Sequence, residues 1–215
     1  FKYLEENVHY CHYVRFFIST HLLIENTYIL LKCQPWKESY MRRKTLKILV
    51  VGDGGTGKTT LLHRLTEGDF IDTTTMTVGV DFRQKNLTVN DTLCQLTIWD
   101  IGGQDRFFFM VDRYIRGAKG AMLLFDITRM TTFVNLEKWV SLLRQKNPAK
   151  EKLPIILVAA KYDLKDFSMV GDILAKKVQK RLGFMDYVKT SSKTGKNVEE
   201  AFWVWVKHVL KREDA

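Results

Sequence analysis

The sequence has few cysteines and no long uninterrupted apolar run. None of its three cysteines forms a CxxC pair or a metal-ligand spacing, which indicates a reducing compartment rather than a disulfide framework. The most apolar early stretch is interrupted by His21, Glu25 and Asn26. A membrane-spanning helix needs about 20 predominantly apolar residues, and a signal peptide needs a cleaner apolar core. We therefore expect a soluble, cytoplasmic protein.

Positive charge is in excess, but it is not gathered into one tract. The net charge of +10 would suit nucleic acid or an anionic membrane surface, yet the Lys and Arg residues are spread along the chain. We interpret them as solvated helix faces and expect no nucleic-acid partner. The last residues, 211–215, contain no cysteine for prenylation. Peripheral membrane association stays open, without a lipidation motif to support it.

A regular alternation of apolar runs and amphipathic segments begins near Leu46. The pair Asn90-Asp91 separates two alternating segments and predicts a hairpin. Beyond it strands and helices alternate, which predicts an α/β fold: a mostly parallel six-stranded sheet with one antiparallel strand and helices on both faces. Ligands bind such sheets at the carboxyl ends of the strands. We predict strands at 46–51, 80–89, 93–100, 121–126, 155–160 and 186–190, and helices at 59–67, 132–145, 169–182 and 197–211.

A glycine-rich loop lies between the first predicted strand and the first predicted helix. Phosphates need several converging backbone N–H donors, so such a loop has to be nearly free of side chains. Its Lys reaches the β- and γ-phosphates, the next hydroxyl binds Mg²⁺, and the helix points its positive end at the anion. The residues assigned to this site are Gly52, Asp53, Gly54, Gly55, Thr56, Gly57, Lys58, Thr59 and Thr60.

Two further motifs lie on predicted loops at the same edge of the sheet. In residues 99–104, the Asp100 carboxylate can hold Mg²⁺ through water, and the Gly103 N–H can meet a γ-phosphate. Gln104 can orient an attacking water. In the loop before the second predicted strand, Thr77 can complete the Mg²⁺ shell when a γ-phosphate is present. The candidate metal ligands are therefore Thr59, Thr77 and Asp100, and the candidate catalytic residues are Lys58, Thr77, Gly103 and Gln104.

In their order along the chain, these motifs resemble those of one family. Residues 46–210 resemble the Ras superfamily of small GTPases, and within it the Rab-like branch, through residues 77–82, 104–107, 114–118, 125–128, 133–139 and 190–202. The resemblance implies a P-loop NTPase G domain over residues 44–213. It also implies GTP and GDP as ligands, Mg²⁺ as cofactor, slow intrinsic hydrolysis and a vesicle-trafficking or signalling role. The absent prenylation cysteine implies either a truncated chain or a switch that does not anchor by prenylation, and by resemblance it fits an archaeal or early-branching source.

The resemblance also implies a guanine site after the fifth strand. Asp163 would pair with the ring N–H and the exocyclic amine of guanine, which adenine does not present. The Lys161 stem would lie over the base, and the Ser192 N–H would meet the guanine carbonyl. For Phe70, placed beside the base, ordinary core packing is the alternative. The base-site residues are Phe70, Lys161, Asp163, Leu164, Ser191, Ser192 and Lys193.

Two positions depart from the family pattern. Ala160 stands where the family has Asn or Thr, a side chain that touches the base and ties its loop to the phosphate loop. Losing such a hydrogen bond costs about 1 kcal/mol, so we expect guanine specificity with faster nucleotide release. Gly102 stands where most Ras and Rab proteins have Ala, and its backbone freedom would ease rearrangement of the loop after Asp100.

The resemblance implies partners that read or reset the nucleotide state. Phe82, Trp99 and Tyr114 match the aromatic trio that Rab-like proteins present to effectors, and we favour an effector surface there. The alternative is that they are partly buried sheet and helix residues. An exchange factor and a GTPase-activating protein are expected, and the chain is expected to be a monomer. The rival functions are a scaffold that holds GTP without hydrolysing it and, more remotely, an ATP-using enzyme that shares the phosphate loop.

The first part of the chain, residues 1–43, carries no recognisable motif. Three interpretations stay open: an amphipathic arm that lies on membranes, an ordinary extension, or sequence that does not belong to the native protein. We favour the third, because members of the family normally begin near Met41 and this chain opens with Phe1.

Overall fold

The computed structural model describes residues 42–72, 76–147 and 153–214. Almost all of the predicted N-terminal extension, residues 1–43, lies outside these ranges. The boundary between residues 43 and 44 therefore stays a prediction. The first strand starts at Arg42.

A six-stranded sheet in the order β2-β3-β1-β4-β5-β6 organises the chain, with helices between its strands. Every neighbouring pair is parallel except β2 with β3, which form an antiparallel hairpin. The strands are β1 (Arg42–Val51), β2 (Val80–Val89), β3 (Thr92–Ile101), β4 (Gly120–Asp126), β5 (Ile155–Ala160) and β6 (Tyr187–Lys189). The helices are α1 (Lys58–Glu67), α2 (Phe108–Tyr114), α3 (Met130–Val134), α4 (Leu136–Lys146), α5 (Asp172–Leu182) and α6 (Val198–Glu213). This confirms the predicted fold class.

Strands β4 and β5 and the last four residues of β1 are buried on both faces, as their apolar residues require. Alternate residues of β1 point to opposite sides. Ile48 packs in the cluster formed with α1 and α6, whereas Leu49 packs in the cluster formed with α2 to α5. The hairpin between β2 and β3 turns at Asn90 and Asp91, both at positive φ (47° and 56°), as a two-residue turn of this kind requires.

The helices depart from the predicted pattern in three places. The helix expected over 132–145 is two helices, α3 and α4, which divide at Asn135 (φ −71°, ψ −5°). The helix expected from residue 169 starts at Asp172, because Gly171 is extended (ψ 149°). The sequence did not predict α2 or the two 3₁₀ helices, Asp105–Phe107 and Tyr162–Phe167. No helix in the described ranges is long and apolar enough to cross a membrane.

Candidate nucleotide site

The carboxyl ends of β1, β3 and β5 meet at one edge of the sheet, where a cavity of about 410 Å³ opens. Its wall combines residues from the phosphate loop, the loop before β2, the loop after β3 and the loops after β5 and β6. They are Gly54, Gly55, Thr56, Gly57, Lys58, Thr59, Thr60, Phe70, Ile71, Asp72, Met76, Thr77, Gly103, Gln104, Ala160, Lys161, Asp163, Leu164, Ser192 and Lys193. The volume is in the range of small-molecule and cofactor pockets.

The phosphate loop, residues 52–59, follows β1 and leads into α1. Gly52 is held at φ 137°, and a Cβ there would stand 2.3 Å from the Leu124 carbonyl oxygen of β4. Gly57 precedes α1 at φ 92°. Both positions require a conformation that side chains rarely adopt, so glycine is needed for the loop to take this path from β1 into α1.

Lys58 is almost fully buried at the start of α1. Its Nζ donates to the carbonyl oxygens of Gly52 (2.7 Å) and Asp53 (3.0 Å). Burial lowers the pKa of this ammonium group to about 8, although the nearby carboxylates of Asp100 and Asp53 oppose the shift. A cation held in a dry site is a strong partner for a phosphate that enters the cavity.

Thr59, Thr77 and Asp100 converge beside the phosphate loop. The Thr59 hydroxyl donates to Asp100 Oδ2 at 2.5 Å and contacts the Thr77 hydroxyl. Asp100 is fully buried, and its Oδ1 has no hydrogen-bond partner among the described residues. Burial raises the pKa of the Asp100 carboxyl, opposed by the Thr59 hydrogen bond and by Lys58.

The site formed by Thr59, Thr77 and Asp100 suits Mg²⁺ bound together with phosphates. An orphaned buried carboxylate oxygen beside two hydroxyls is an all-oxygen donor set, which Mg²⁺ prefers. No cluster of three His, Cys, Asp or Glu residues occurs in the part of the chain that the structure describes. Mg²⁺ usually takes one or two carboxylates and completes its shell with water and substrate phosphates.

Gly103 and Gln104 follow β3 and lie over the phosphate loop. The Gly103 carbonyl accepts the Gly54 N–H at 3.1 Å, and a Cβ on Gly103 would stand 2.3 Å from the Asp53 carbonyl carbon and the Gly52 oxygen. The Gln104 side chain lies at the cavity wall, with its Nε2 3.4 Å from Met76 Sδ. The predicted catalytic residues therefore lie at the phosphate end of the cavity.

The Asp53 side chain has a different role from its neighbours in the loop. Its two carboxylate oxygens accept the Trp139 indole N–H (2.8 Å) and the Asn135 amide (2.7 Å). These contacts tie the phosphate loop to α4. The sequence analysis assigned Asp53 to the loop but missed both partners.

The base loop, residues 161–164, follows β5. Asp163 Oδ1 accepts the Ser191 hydroxyl at 2.6 Å, so Ser191 orients the carboxylate. Lys161 stands at φ 63°, a conformation that is strained for a residue other than glycine, and its Nζ pairs with Asp126 at 2.8 Å. Burial would raise the pKa of Asp126, but the hydrogen bonds from Lys161 and Thr128 hold it below its usual value.

Several residues around the cavity were missed by sequence reasoning. Ile71, Asp72 and Met76 line it, but none of them was predicted as a site residue. Arg129 contacts the phosphate loop through a hydrogen bond to the Gly54 carbonyl at 3.0 Å. A cation three residues after an aspartate at the end of a predicted strand is a weak signal for such a contact.

The aromatic trio forms a continuous row of ring contacts from β2 through β3 to α2. The ring centroids of Phe82 and Trp99 are 5.6 Å apart, and those of Trp99 and Tyr114 are 4.7 Å apart. Phe82 is half exposed, while Trp99 and Tyr114 are partly buried. The three side chains therefore pack against one another and also expose part of their surface.

Comparison with known proteins identifies the family that carries this site. A family model described as "Ras family" matches residues 47–211. The chain is 38% identical over 178 residues to Ras-related protein Rab-7L1 of Rattus norvegicus, covering 80% of this chain and 87% of the relative. It is 36% identical over 177 residues to Rab-27B of Homo sapiens (78% and 80% covered). It is 37% identical over 174 residues to RABG3f of Arabidopsis thaliana (79% and 84% covered).

Proteins of this family bind GTP, GDP and Mg²⁺ and work with regulators and effectors in general. The matched residues contain every segment that builds the cavity. By its sequence, its sheet topology and the arrangement of its phosphate loop, this chain belongs to the Ras family of small GTPases and is of the Rab-like kind.

Proposed function

We propose that this chain is a slow, Mg²⁺-dependent GTPase that cycles between GTP and GDP forms as a regulatory switch. The convergence of Thr59, Thr77 and Asp100 around an unpartnered buried carboxylate oxygen carries the proposal. Such a corner beside a phosphate loop is built for a phosphate-bound metal rather than for structural packing.

Hydrolysis is proposed to be an in-line attack of water on the γ-phosphate. The backbone N–H groups of the phosphate loop and the Lys58 ammonium stabilise the charge that develops on the phosphate oxygens. Thr59, Thr77 and Asp100 would hold Mg²⁺, which would neutralise part of that charge. Gln104 orients the attacking water.

The rate without a partner is proposed to be low. Arg129 is engaged by Asp126 and by the Gly54 carbonyl, which leaves the developing charge on the γ-phosphate to Lys58 and the backbone. In GTPases an arginine supplied by a partner protein adds about 10³–10⁵-fold. A GTPase-activating protein is therefore part of the proposed cycle.

The switch would work through two loops that meet over the γ-phosphate. Thr77 precedes β2 and Gly103 follows β3, and the Gly102 N–H donates to the Gly79 carbonyl at 2.8 Å. A γ-phosphate that contacts Thr77 and Gly103 would hold both loops, and hydrolysis would release them. Effectors would read this change at the aromatic trio of Phe82, Trp99 and Tyr114, and an exchange factor would replace GDP by GTP.

Single-turnover phosphate release from GTP-loaded protein tests the proposal. We expect slow, first-order release that stops when Mg²⁺ is chelated. Gln104→Leu should bind GTP and release phosphate at least tenfold more slowly, because the water loses its orienting group. The outcome that contradicts the proposal is tight GTP binding with no release from the wild type, which would make the chain a GTP-holding scaffold.

A further inference from the structure

Two loops from distant parts of the chain form the wall of the nucleotide cavity. The phosphate loop contributes Gly54, and the base loop contributes Lys161 and Asp163. A ligand that spans both loops binds more tightly when they are held in place beforehand, because less ordering is needed on binding. A contact that joins the two loops would therefore slow nucleotide release.

Such a contact runs through Asp126, at the end of β4. Its Oδ2 accepts the Lys161 ammonium at 2.8 Å and the Arg129 Nε–H at 3.0 Å. The other end of the Arg129 guanidinium donates from Nη2 to the Gly54 carbonyl at 3.0 Å. The path Gly54–Arg129–Asp126–Lys161 thus connects the phosphate loop to the base loop.

Arginine suits this position because its planar guanidinium group can donate to two acceptors at once. Nε faces the carboxylate, while Nη2 faces a carbonyl 75 residues earlier in the chain. A lysine ammonium is a single point on a flexible stem, so it can keep the ion pair with Asp126 but loses the fixed second contact.

The fold does not depend on this guanidinium. Asp126 Oδ1 accepts the Thr128 N–H (2.9 Å) and hydroxyl (2.7 Å), and its Oδ2 keeps Lys161. The Arg129 side chain is 42% exposed, whereas that of Asp126 is 1% exposed. Removing the guanidinium therefore leaves no buried charge without a partner.

Ala160 adds no side-chain hydrogen bond between the two loops. It lies at the cavity wall directly before Lys161, with 4% of its surface exposed, and its methyl group cannot form a hydrogen bond to either loop or to a base. The backbone contact from the Ile127 N–H to the Ala160 carbonyl is long, at 3.3 Å.

We propose that Arg129 is a positioning residue that joins the phosphate loop to the base loop through Asp126 and so slows nucleotide release. This inference rests on the proposed function, because it concerns the same guanine-nucleotide site. Arg129 acts through Gly54 and Lys161 rather than by touching the nucleotide.

The test measures release of fluorescently labelled GDP from the full chain. We expect Arg129→Gln to release GDP about three- to tenfold faster than the wild type, as the loss of a partly exposed charged hydrogen bond predicts. Arg129→Lys should fall between the two. The matched control is Arg181→Gln: Arg181 is a surface arginine that pairs with Glu137 on α4, and its loss should change release by less than twofold.

A double-mutant cycle separates positioning from a general loss of stability. Ala160→Asn restores a polar side chain at the base loop and should therefore slow release in both backgrounds. The factor by which it slows release should be at least about three times larger in the Arg129→Gln background than in the wild type. Thermal unfolding of the nucleotide-free proteins should shift by no more than a few degrees for Arg129→Gln.

The outcomes distinguish this inference from the proposed function. If Arg129→Gln releases GDP at the rate of Arg181→Gln, or if the cycle is additive, Arg129 does not join the loops, although the site still binds GDP. If the wild type binds no labelled GDP in the presence of Mg²⁺, the proposed function itself is wrong.

Discussion

Replacing Asp53 by Ala removes the anchor between the phosphate loop and α4. The Trp139 side chain is fully buried, and its indole N–H would lose the acceptor that stands 2.8 Å away. Leaving a buried donor unpaired costs about 1–3 kcal/mol. The Asn135 amide, which lies at the surface, can turn to solvent and adds little. We expect a loss of about 2 kcal/mol in the free energy of unfolding.

For a domain of this size, that loss corresponds to a fall of about 4–8 °C in Tm. Circular dichroism melts of the nucleotide-free proteins would measure it. Asp53→Asn keeps one acceptor oxygen and should lose about half as much. Trp139→Phe removes the donor, so Asp53→Ala added to Trp139→Phe should cost little more than Trp139→Phe alone. Full additivity of the two changes, or an unchanged Tm for Asp53→Ala, would refute the reasoning.

Three further predictions concern the cavity. Burial lowers the pKa of Lys58 to about 8, and a phosphate favours the charged form, so GDP affinity should weaken as the pH rises through 8. Calorimetry in two buffers at pH 8 should show that binding takes up about half a proton. No proton uptake would contradict the account. Gly102→Ala should lower the free energy of unfolding by about 1–3 kcal/mol, as measured by urea unfolding. The added Cβ would stand 2.9 Å from the backbone carbonyl oxygen of Thr77 and 3.0 Å from that of Gly79. Ala160→Asn should slow GDP release several-fold in a stopped-flow assay through a hydrogen bond of about 1 kcal/mol; an unchanged rate would show that the cavity gains nothing from that side chain.

The contact distances explain why position 102 is a glycine, and the explanation differs from the one that the sequence suggested. Backbone freedom was the expected advantage. In the structure the residue is closely surrounded, with the Phe107 ring 2.8 Å from the place of a Cβ. Lack of space, rather than freedom, is what favours glycine in this arrangement.

Much of the fold follows from local sequence patterns. The apolar run of β1, the turn residues Asn90 and Asp91, and the glycine-rich loop each specify their own conformation over a few residues. The strands were therefore predicted to within a few residues of their bounds. The break at Asn135 was missed because the amphipathic pattern continues across it, and α2 was missed because most of its seven residues are not buried.

The contacts that connect the motifs could not be predicted in the same way. Arg129 meets the Gly54 carbonyl across 75 residues of sequence, and Trp139 meets Asp53 across 86. No local pattern specifies such a pair, since it depends on how α3 and α4 pack beside β1. Sequence motifs predicted which residues surround the cavity, whereas the contacts that hold the loops in place required the tertiary structure.

Displacement of labelled GDP by unlabelled nucleotides tests the central assignment most directly. The Asp163 carboxylate accepts the Ser191 hydroxyl at 2.6 Å and would pair with the two N–H donors of a guanine ring, a pair that adenine does not present. In the presence of Mg²⁺ we predict that GTP displaces labelled GDP at comparable concentrations, while ATP in hundredfold excess does not. Displacement by ATP at the concentrations that suffice for GTP would contradict the assignment of this cavity as a guanine-nucleotide site.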